Sequence, residues 1–328
     1  MTNLQNITHC PGTLAPDYDT YSKNCLNQVF NSKKVHHVLD FDRLETEFSD
    51  QSVLTENHTR ISISGVQEKY SLILDKNRLR FVNENEHGTH ILKPIPFFGK
   101  NPEQMPANEH LTMQIAAQVY GIETAENAMI FFKNGSPAYI VKRFDFNDNG
   151  TKTAVEDFAS LAGRTPQTHG ANFKYLGSYL DLFELMKTYL PAYRIEAPKL
   201  LKLLVFNYLF SNGDAHFKNF SIIETNFGDF KLSPAYDLLN TRMHVDDSDF
   251  ALENGLLPPS LSGGSIQEQF KKLAQLVGIA EAQTNTIINS FLSNTPAVIK
   301  LIESSFLKEQ FKRNYLQAYQ GKLKKLMK

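Results

Sequence analysis

The sequence has no tryptophan, only two cysteines, and no apolar run of the ~20 residues that a membrane-spanning helix requires. Its longest apolar stretch, residues 200–210, is too short and is interrupted by Lys202 and Asn207. Cys10 and Cys25 do not make a disulfide framework, and a chain of 328 residues has core enough not to need one. The N-terminus lacks the basic segment followed by an apolar one that marks an export signal. Charge of one sign is lacking too. With 34 Lys and Arg against 35 Asp and Glu, no whole-molecule field draws the protein to nucleic acid or membrane. A soluble, cytoplasmic protein of a reducing compartment is expected, with no direct nucleic-acid contact. Internal repeats and low-complexity tracts are not seen, and neither is a G-x-G-x-x-G phosphate loop.

What is present is a two-part layout. At ~150 residues per domain, this length fits two domains or lobes. Residues 1–60 read as a polar, irregular extension with a short helix near Leu39–Phe48. Residues 61–146 read as a strand-rich lobe, with strands in ISIS, KYSLILD, RLRFVN and THILKPI. A helix with Asn108 as N-cap and Glu109 in its first turn follows, carrying Leu111, Ile115 and Val119 on one stripe and ending at Gly121. AMIFF and AYIVKRFDF, joined by Lys133-Asn-Gly135, read as a hairpin. From 147 to 328 the character is helical, with predicted helices at Tyr179–Tyr189, Pro198–Phe210, Ile266–Leu276, Ala282–Leu292 and Leu307–Met327. The fold class is α+β, and two such lobes invite a ligand cleft.

Chemistry concentrates where the second of these helices ends. In FSNGDAHFKN, Asp214 and Asn219 stand five apart, the D-x-x-x-x-N spacing of a kinase catalytic loop. Phosphoryl transfer needs a carboxylate to accept the proton of the attacking hydroxyl and oxygen ligands to hold Mg²⁺ on the phosphates. FSIIE and FKLSP then form a short hairpin that returns Asp237 towards Asn219. The plainer reading is a turn made of ordinary turn residues. A cation for the phosphates is available in Lys93, on a strand preceding the helix that bears Glu109. That lysine is also compatible with a solvent-facing strand end. The Gly65 segment could present backbone N–H groups to phosphate as a nest.

Taken together, ISISGVQEK, HILKP, NEHLTMQIAAQVYGI, VKRFD, NGDAHFKNFS and LSPAYDLL resemble the HipA-like serine/threonine kinases in order and spacing over residues 60–245. The resemblance implies a two-lobed kinase fold, with ATP and Mg²⁺ as cofactors. It puts Asp214 on the catalytic aspartate, with His216 and Lys218 in the same catalytic motif. It puts Asn219 and Asp237 on Mg²⁺-binding positions and Lys93 on the lysine that contacts ATP phosphates. VKRFD, with Lys142 and Phe144, falls on the adenine hinge, and Ser64, Gly65, Val66 and Gln67 fall in the phosphate-binding loop. That loop carries an autophosphorylated serine in relatives. Here Ser62 and Ser64 stand two apart, so both can face one side of a strand. Phosphorylation there adds ~−1.5 to −2 charge beside the ATP phosphates and is expected to tune or block activity.

Only sixty residues precede this loop, fewer than in the longer HipA pattern and closer to the short HipT type. In that branch the missing domain is a separate small HipS-like antitoxin. The implied partners are therefore a HipS-like protein, a HipB-like DNA-binding antitoxin and a target protein, by analogy an aminoacyl-tRNA synthetase. Some short relatives bear an N-terminal zinc site, but His9, Cys10 and Cys25, with Ser22 beside them, fall short of four N or S ligands. A small-molecule or lipid kinase and a non-catalytic binding module or co-repressor are the competing readings. Retention of Lys93, Asp214, Asn219 and Asp237 together argues against the last.

Overall fold

The computed structural model describes residues 7–43, 68–84, 86–97, 99–147 and 150–328. The chain divides into two compact units. The first comprises Met1–His110, Glu126–Arg143 and Ser304–Leu307, and the second Leu111–Ala125, Phe144–Glu303 and Lys308–Lys328.

The first unit is built on an antiparallel sheet of five strands in the order β2-β1-β3-β5-β4. Its strands are β1 (Tyr70–Asp75), β2 (Arg78–Phe81), β3 (His90–Pro94), β4 (Asn127–Phe131) and β5 (Pro137–Lys142). All five follow the predicted alternation and turns. β4 and β5 pair in register from Asn127 opposite Val141 to Phe131 opposite Pro137, through a turn in which Gly135 takes φ +88°. One face buries Leu72, Leu79, Leu92, Ala128, Ile130 and Ile140.

Residues 7–43 are more regular than their polar sequence suggested. Helix α1 (Lys23–Phe30) is capped by Ser22, whose Oγ accepts the Cys25 N–H at 3.2 Å. It buries Cys25, Val29 and Phe30 in the same core as the sheet. The predicted helix near Leu39–Phe48 is not found over residues 39–43, and its remainder lies outside the described residues. Its start is committed elsewhere. Leu39 N–H donates to Phe131 O at 2.8 Å, and Phe131 N–H donates to His37 O at 2.9 Å. Met129 N–H donates to Pro11 O at 2.8 Å, so residues 11 and 37–39 occupy the outer edge of β4, which an open sheet would leave unpaired. Cys10 and Cys25 are buried thiols, and the Cys10 Sγ accepts the Ser22 N–H at 3.1 Å.

Helix α2 (Met105–Gln118) starts three residues before the predicted Asn108 cap. A 3₁₀ turn over Pro102–Gln104 leads into it, and Asn108 is fully buried within it. Helix α2 contributes residues up to His110 to the first unit and the rest to the second.

The second unit holds a small antiparallel sheet in the order β6-β7-β8, namely Val155–Asp157, Ser221–Glu224 and Phe230–Leu232. The predicted hairpin supplies β7 and β8, and the three-residue β6 gave no sequence signal. Around it lie two single-turn helices, α3 (Phe158–Leu161) and α4 (Pro166–His169), followed by α5 (Tyr179–Tyr189) and α6 (Tyr193–Leu209). The C-terminal helices are α7 (Ile266–Leu276), α8 (Glu281–Ser293), α9 (Thr295–Ser304) and α10 (Glu309–Leu326). Pro198 lies inside α6 and not at its start, because the helix begins at Tyr193. α9 was not predicted. Among the described residues no helix is long and apolar enough to cross a membrane.

Candidate active site

The loop bearing Asp214 is shaped by the way α6 ends. Ser211 adopts φ +55°, the Asn212 N–H donates to Asn207 O at 2.9 Å, and the Ser211 N–H donates to Tyr208 O at 3.3 Å. This is a Schellman cap with serine where glycine is usual. Gly213 follows for a different reason. A Cβ there would lie 2.5 Å from both Ser248 O and the Asp247 carboxylate. Its N–H donates to Thr241 Oγ1 at 2.9 Å, and Thr241 N–H donates to Ser211 O at 3.1 Å, which ties the loop to the chain beyond Asp237.

Beyond Gly213 the chain makes tight local bonds. The His216 N–H reaches Asp214 O at 2.8 Å and Asn219 Oδ1 at 3.2 Å. The Asn219 side-chain carbonyl is thereby oriented, with a second lone pair still to offer. From below, the Tyr179 hydroxyl donates to Ala215 O at 2.7 Å. Asp214 itself accepts a 2.9 Å hydrogen bond from the Tyr175 hydroxyl.

Asp237 reaches this loop through its neighbour. The Tyr236 hydroxyl donates to Lys218 O at 3.0 Å and, having spent its proton there, accepts from Ser221 Oγ. Asp237 takes φ +55°, a left-handed conformation that aspartate tolerates better than most residues. Its carboxylate is near enough to bias the His216 ring towards protonation. Burial dominates nonetheless, and with the Lys174 charge it lowers the His216 pKa to about 3. His216 is therefore neutral, its Nε2 sits 4.0 Å from Asp214 Oδ1, and neither ring nitrogen has a hydrogen-bond partner among the described residues. Lys218 points elsewhere: its ammonium lies 3.0 Å from Asp157 Oδ2, and Asp157 Oδ1 caps α3 through the Ser160 N–H at 2.9 Å. In this unit Phe144 sets its ring 5.8 Å from that of Tyr236.

In the first unit, Lys93 donates to Glu109 Oε1 at 2.6 Å, and the two side chains are 5% and 2% exposed. That degree of burial rules out the solvent-facing reading of this lysine. The Lys93 ammonium also lies 5.4 Å from the Tyr139 ring centroid, Tyr139 being its register partner on β5. The Lys142 ammonium is hydrogen-bonded to Asn31 Oδ1 at the end of α1. Ser62, Ser64, Gly65, Val66 and Gln67 lie outside the described residues.

Tyr175, Asp157 and Tyr236 were missed by sequence reasoning. Tyr236 stands beside Asp237 and could have been weighed. Tyr175 is 39 residues from Asp214 and Asp157 is 61 from Lys218, and no local pattern links them. Among the described residues no cluster of three or more His, Cys, Asp or Glu could hold a metal. Mg²⁺ does not require one, since it binds through one or two carboxylates together with phosphate oxygens and water. Asn219 and Asp237 carry oxygen donors of that kind.

The model of the HipA-like C-terminal domain matches residues 61–299. The Y4mE protein of Sinorhizobium fredii is 34% identical over 192 residues, 57% of this chain and 44% of its own length. The serine/threonine-protein kinase toxin HipA of Shewanella oneidensis is 28% identical over 201 residues, 57% of this chain and 45% of its own length. This chain thus spans under half the length of either relative. Among solved structures, the complex of Shewanella oneidensis HipA with HipB and operator DNA aligns with TM-score 0.62 at 22% identity, covering 87% of this chain and 66% of that one. The Helicobacter pylori proinflammatory kinase CtkA aligns with TM-score 0.50 at 14% identity, covering 76% and 91%. The fold is the two-lobed α+β fold of HipA-like kinases, and the chain belongs to the HipA-like C-terminal domain family.

Proposed function

We propose that this protein is an ATP- and Mg²⁺-dependent protein serine/threonine kinase acting as the toxin of a toxin–antitoxin system. The observation that carries this reading is the Asn212–Asn219 loop, in which Asp214 and Asn219 are held by backbone bonds and Asp237 is drawn in through Tyr236. In this reading Asp214 accepts the proton of the attacking serine hydroxyl. Asn219 and Asp237 supply oxygen ligands to Mg²⁺, which when bound neutralises charge on the transferring phosphoryl group. His216 belongs to the same catalytic motif, with its buried ring Nε2 4.0 Å from Asp214 Oδ1. Lys218 holds the loop to Asp157.

Lys93, oriented by Glu109, contacts the ATP phosphates. Phe144 and Lys142 belong to the adenine hinge, and Ser64, Gly65, Val66 and Gln67 to the phosphate-binding loop. Ser62 and Ser64 are the sites of self-modification. The likeness to a toxin solved with HipB and operator DNA supports a HipB-like antitoxin as partner. A HipS-like protein and an aminoacyl-tRNA synthetase target complete the proposal, both by analogy with the family.

The test is intact mass of phosphatase-treated protein after incubation with ATP and Mg²⁺, beside Asp214→Ala. A gain in multiples of one phosphate by wild type alone, mapped to Ser62 or Ser64, is expected. A dephosphorylated wild type that takes up no phosphate and binds no nucleotide would overturn the reading.

A further inference from the structure

The second unit contains a cavity of 480 Å³ that the phosphotransfer reading does not use. Its size falls among small-molecule sites, which span ~300–1,000 Å³. One wall is a single face of α6, since Ile195, Pro198, Lys199, Lys202 and Leu203 recur at i, i+3, i+4, i+7 and i+8. Gln283, Thr286 and Ile287 of α8 form a second wall at i, i+3 and i+4. The turn Gly121–Glu123, Leu232 at the end of β8, and Ser233 and Ala235 beyond it close the remainder. Most of the lining is apolar, and Ile195 at its edge is 65% exposed, a large apolar side chain left in water.

The charges in the wall are almost balanced. Lys199 pairs with Glu196 at 2.7 Å, and the second Glu196 oxygen accepts the Leu232 N–H at 3.1 Å. Glu123 pairs with Lys231 at 3.0 Å. One charge is left over. Lys202 has neither a hydrogen-bond nor an ion-pair partner among the described residues, although it is half-buried. Burial lowers its pKa, as expected of an ammonium facing apolar surface without a counter-ion.

We infer that this cavity binds a small amphiphilic monoanion, a monocarboxylate with an apolar chain, whose carboxylate pairs with Lys202 while the chain lies along Ile195, Leu203 and Ile287. A neutral apolar ligand leaves the ammonium uncompensated, and a dianion exceeds the one surplus charge. The inference does not depend on the kinase reading. The cavity wall nevertheless adjoins that machinery, because Ala235 exchanges backbone hydrogen bonds with Glu123 and Ala125 at 2.8 and 2.9 Å, two residues before Asp237.

The experiment is isothermal titration of the full chain with decanoate below its micellar concentration, beside decanol and decyltrimethylammonium. Saturable binding of decanoate, at least tenfold tighter than either control, is expected. Lys202→Gln, at a half-exposed position, and Thr286→Trp, which fills the mouth from an exposed helical position, are each expected to weaken it at least tenfold. Circular dichroism verifies that both variants fold. Absence of saturable decanoate binding, equal binding of decanol, or undiminished binding by folded Lys202→Gln overturns the inference.

Discussion

Tyr175 and Asp214 are joined by a 2.9 Å hydrogen bond in which the phenol donates to one oxygen of the carboxylate, while the Tyr175 ring stands edge-on to His216 at 5.2 Å. The bond gives the charged form of the Asp214 carboxylate a donor at Oδ1. Tyr175→Phe keeps the ring and removes the donor. Phosphotransfer is expected to slow ~10-fold, equivalent to ~1.4 kcal/mol of barrier, with KM for ATP unchanged. The acidic limb of the pH–rate profile should move to higher pH, because a donor to the charged form has gone. Steady-state kinetics over pH measures both.

Gly213 is required by lack of space. Gly213→Ala places a methyl 2.5 Å from the Ser248 carbonyl oxygen, which belongs to backbone and does not yield cheaply. A lower Tm and loss of activity greater than that of Tyr175→Phe are expected together. An active, equally stable Gly213→Ala protein would show that the 247–248 segment moves aside freely.

Lys93 and Glu109 form a buried pair whose members depend on each other. Glu109→Gln leaves an ammonium in a low-dielectric site, and removing one partner of such a pair costs ~3–5 kcal/mol. The double change Lys93→Met with Glu109→Leu is expected to restore most of that stability without restoring nucleotide binding. Thermal denaturation and nucleotide titration of the three proteins separate the structural role from the binding one.

Stability is expected to fall with acid through a window set by buried histidines. Burial lowers the pKa of His90 and His110 to about 4 and, with Lys174, that of His216 to about 3. In the unfolded chain a histidine titrates near ~6.5, so between that pH and about 4 the unfolded state binds more protons. Stability contributed by the neutral imidazoles is therefore complete above the unfolded value and is lost as pH falls towards the folded one. Urea midpoints should decrease from pH 7.5 to 5.5, and calorimetry in buffers of different ionisation heat should find proton uptake on unfolding at the lower pH. A midpoint independent of pH across this range would contradict the assignment.

Much of this architecture was legible in short windows of sequence. Alternation and turn residues gave β1 to β5, and apolar spacing gave α5 and α7 with the bounds Tyr179–Tyr189 and Ile266–Leu276 that the structure shows. The D-x-x-x-x-N spacing and the hairpin returning Asp237 marked the candidate site, because both are local consequences of chain geometry. The errors also have local causes. Asn108 has the chemistry of an N-cap, yet it is buried inside α2, since the preceding 3₁₀ turn starts the helix earlier. Pro198 has the chemistry of a helix start, yet α6 begins five residues before it.

Short-range patterns in the chain therefore set the identity and order of the chemical groups and most of the local elements that carry them. The tertiary structure alone decided that residues 11 and 37–39 pair with the edge of β4, that β6 joins β7, that Tyr175 meets Asp214, and that Lys202 faces a cavity. Periodicity and turn chemistry act over a few residues and leave a trace in any short window. Contacts between residues tens of positions apart arise only when loop closure is offset by burial across the whole core, and no single window records that balance.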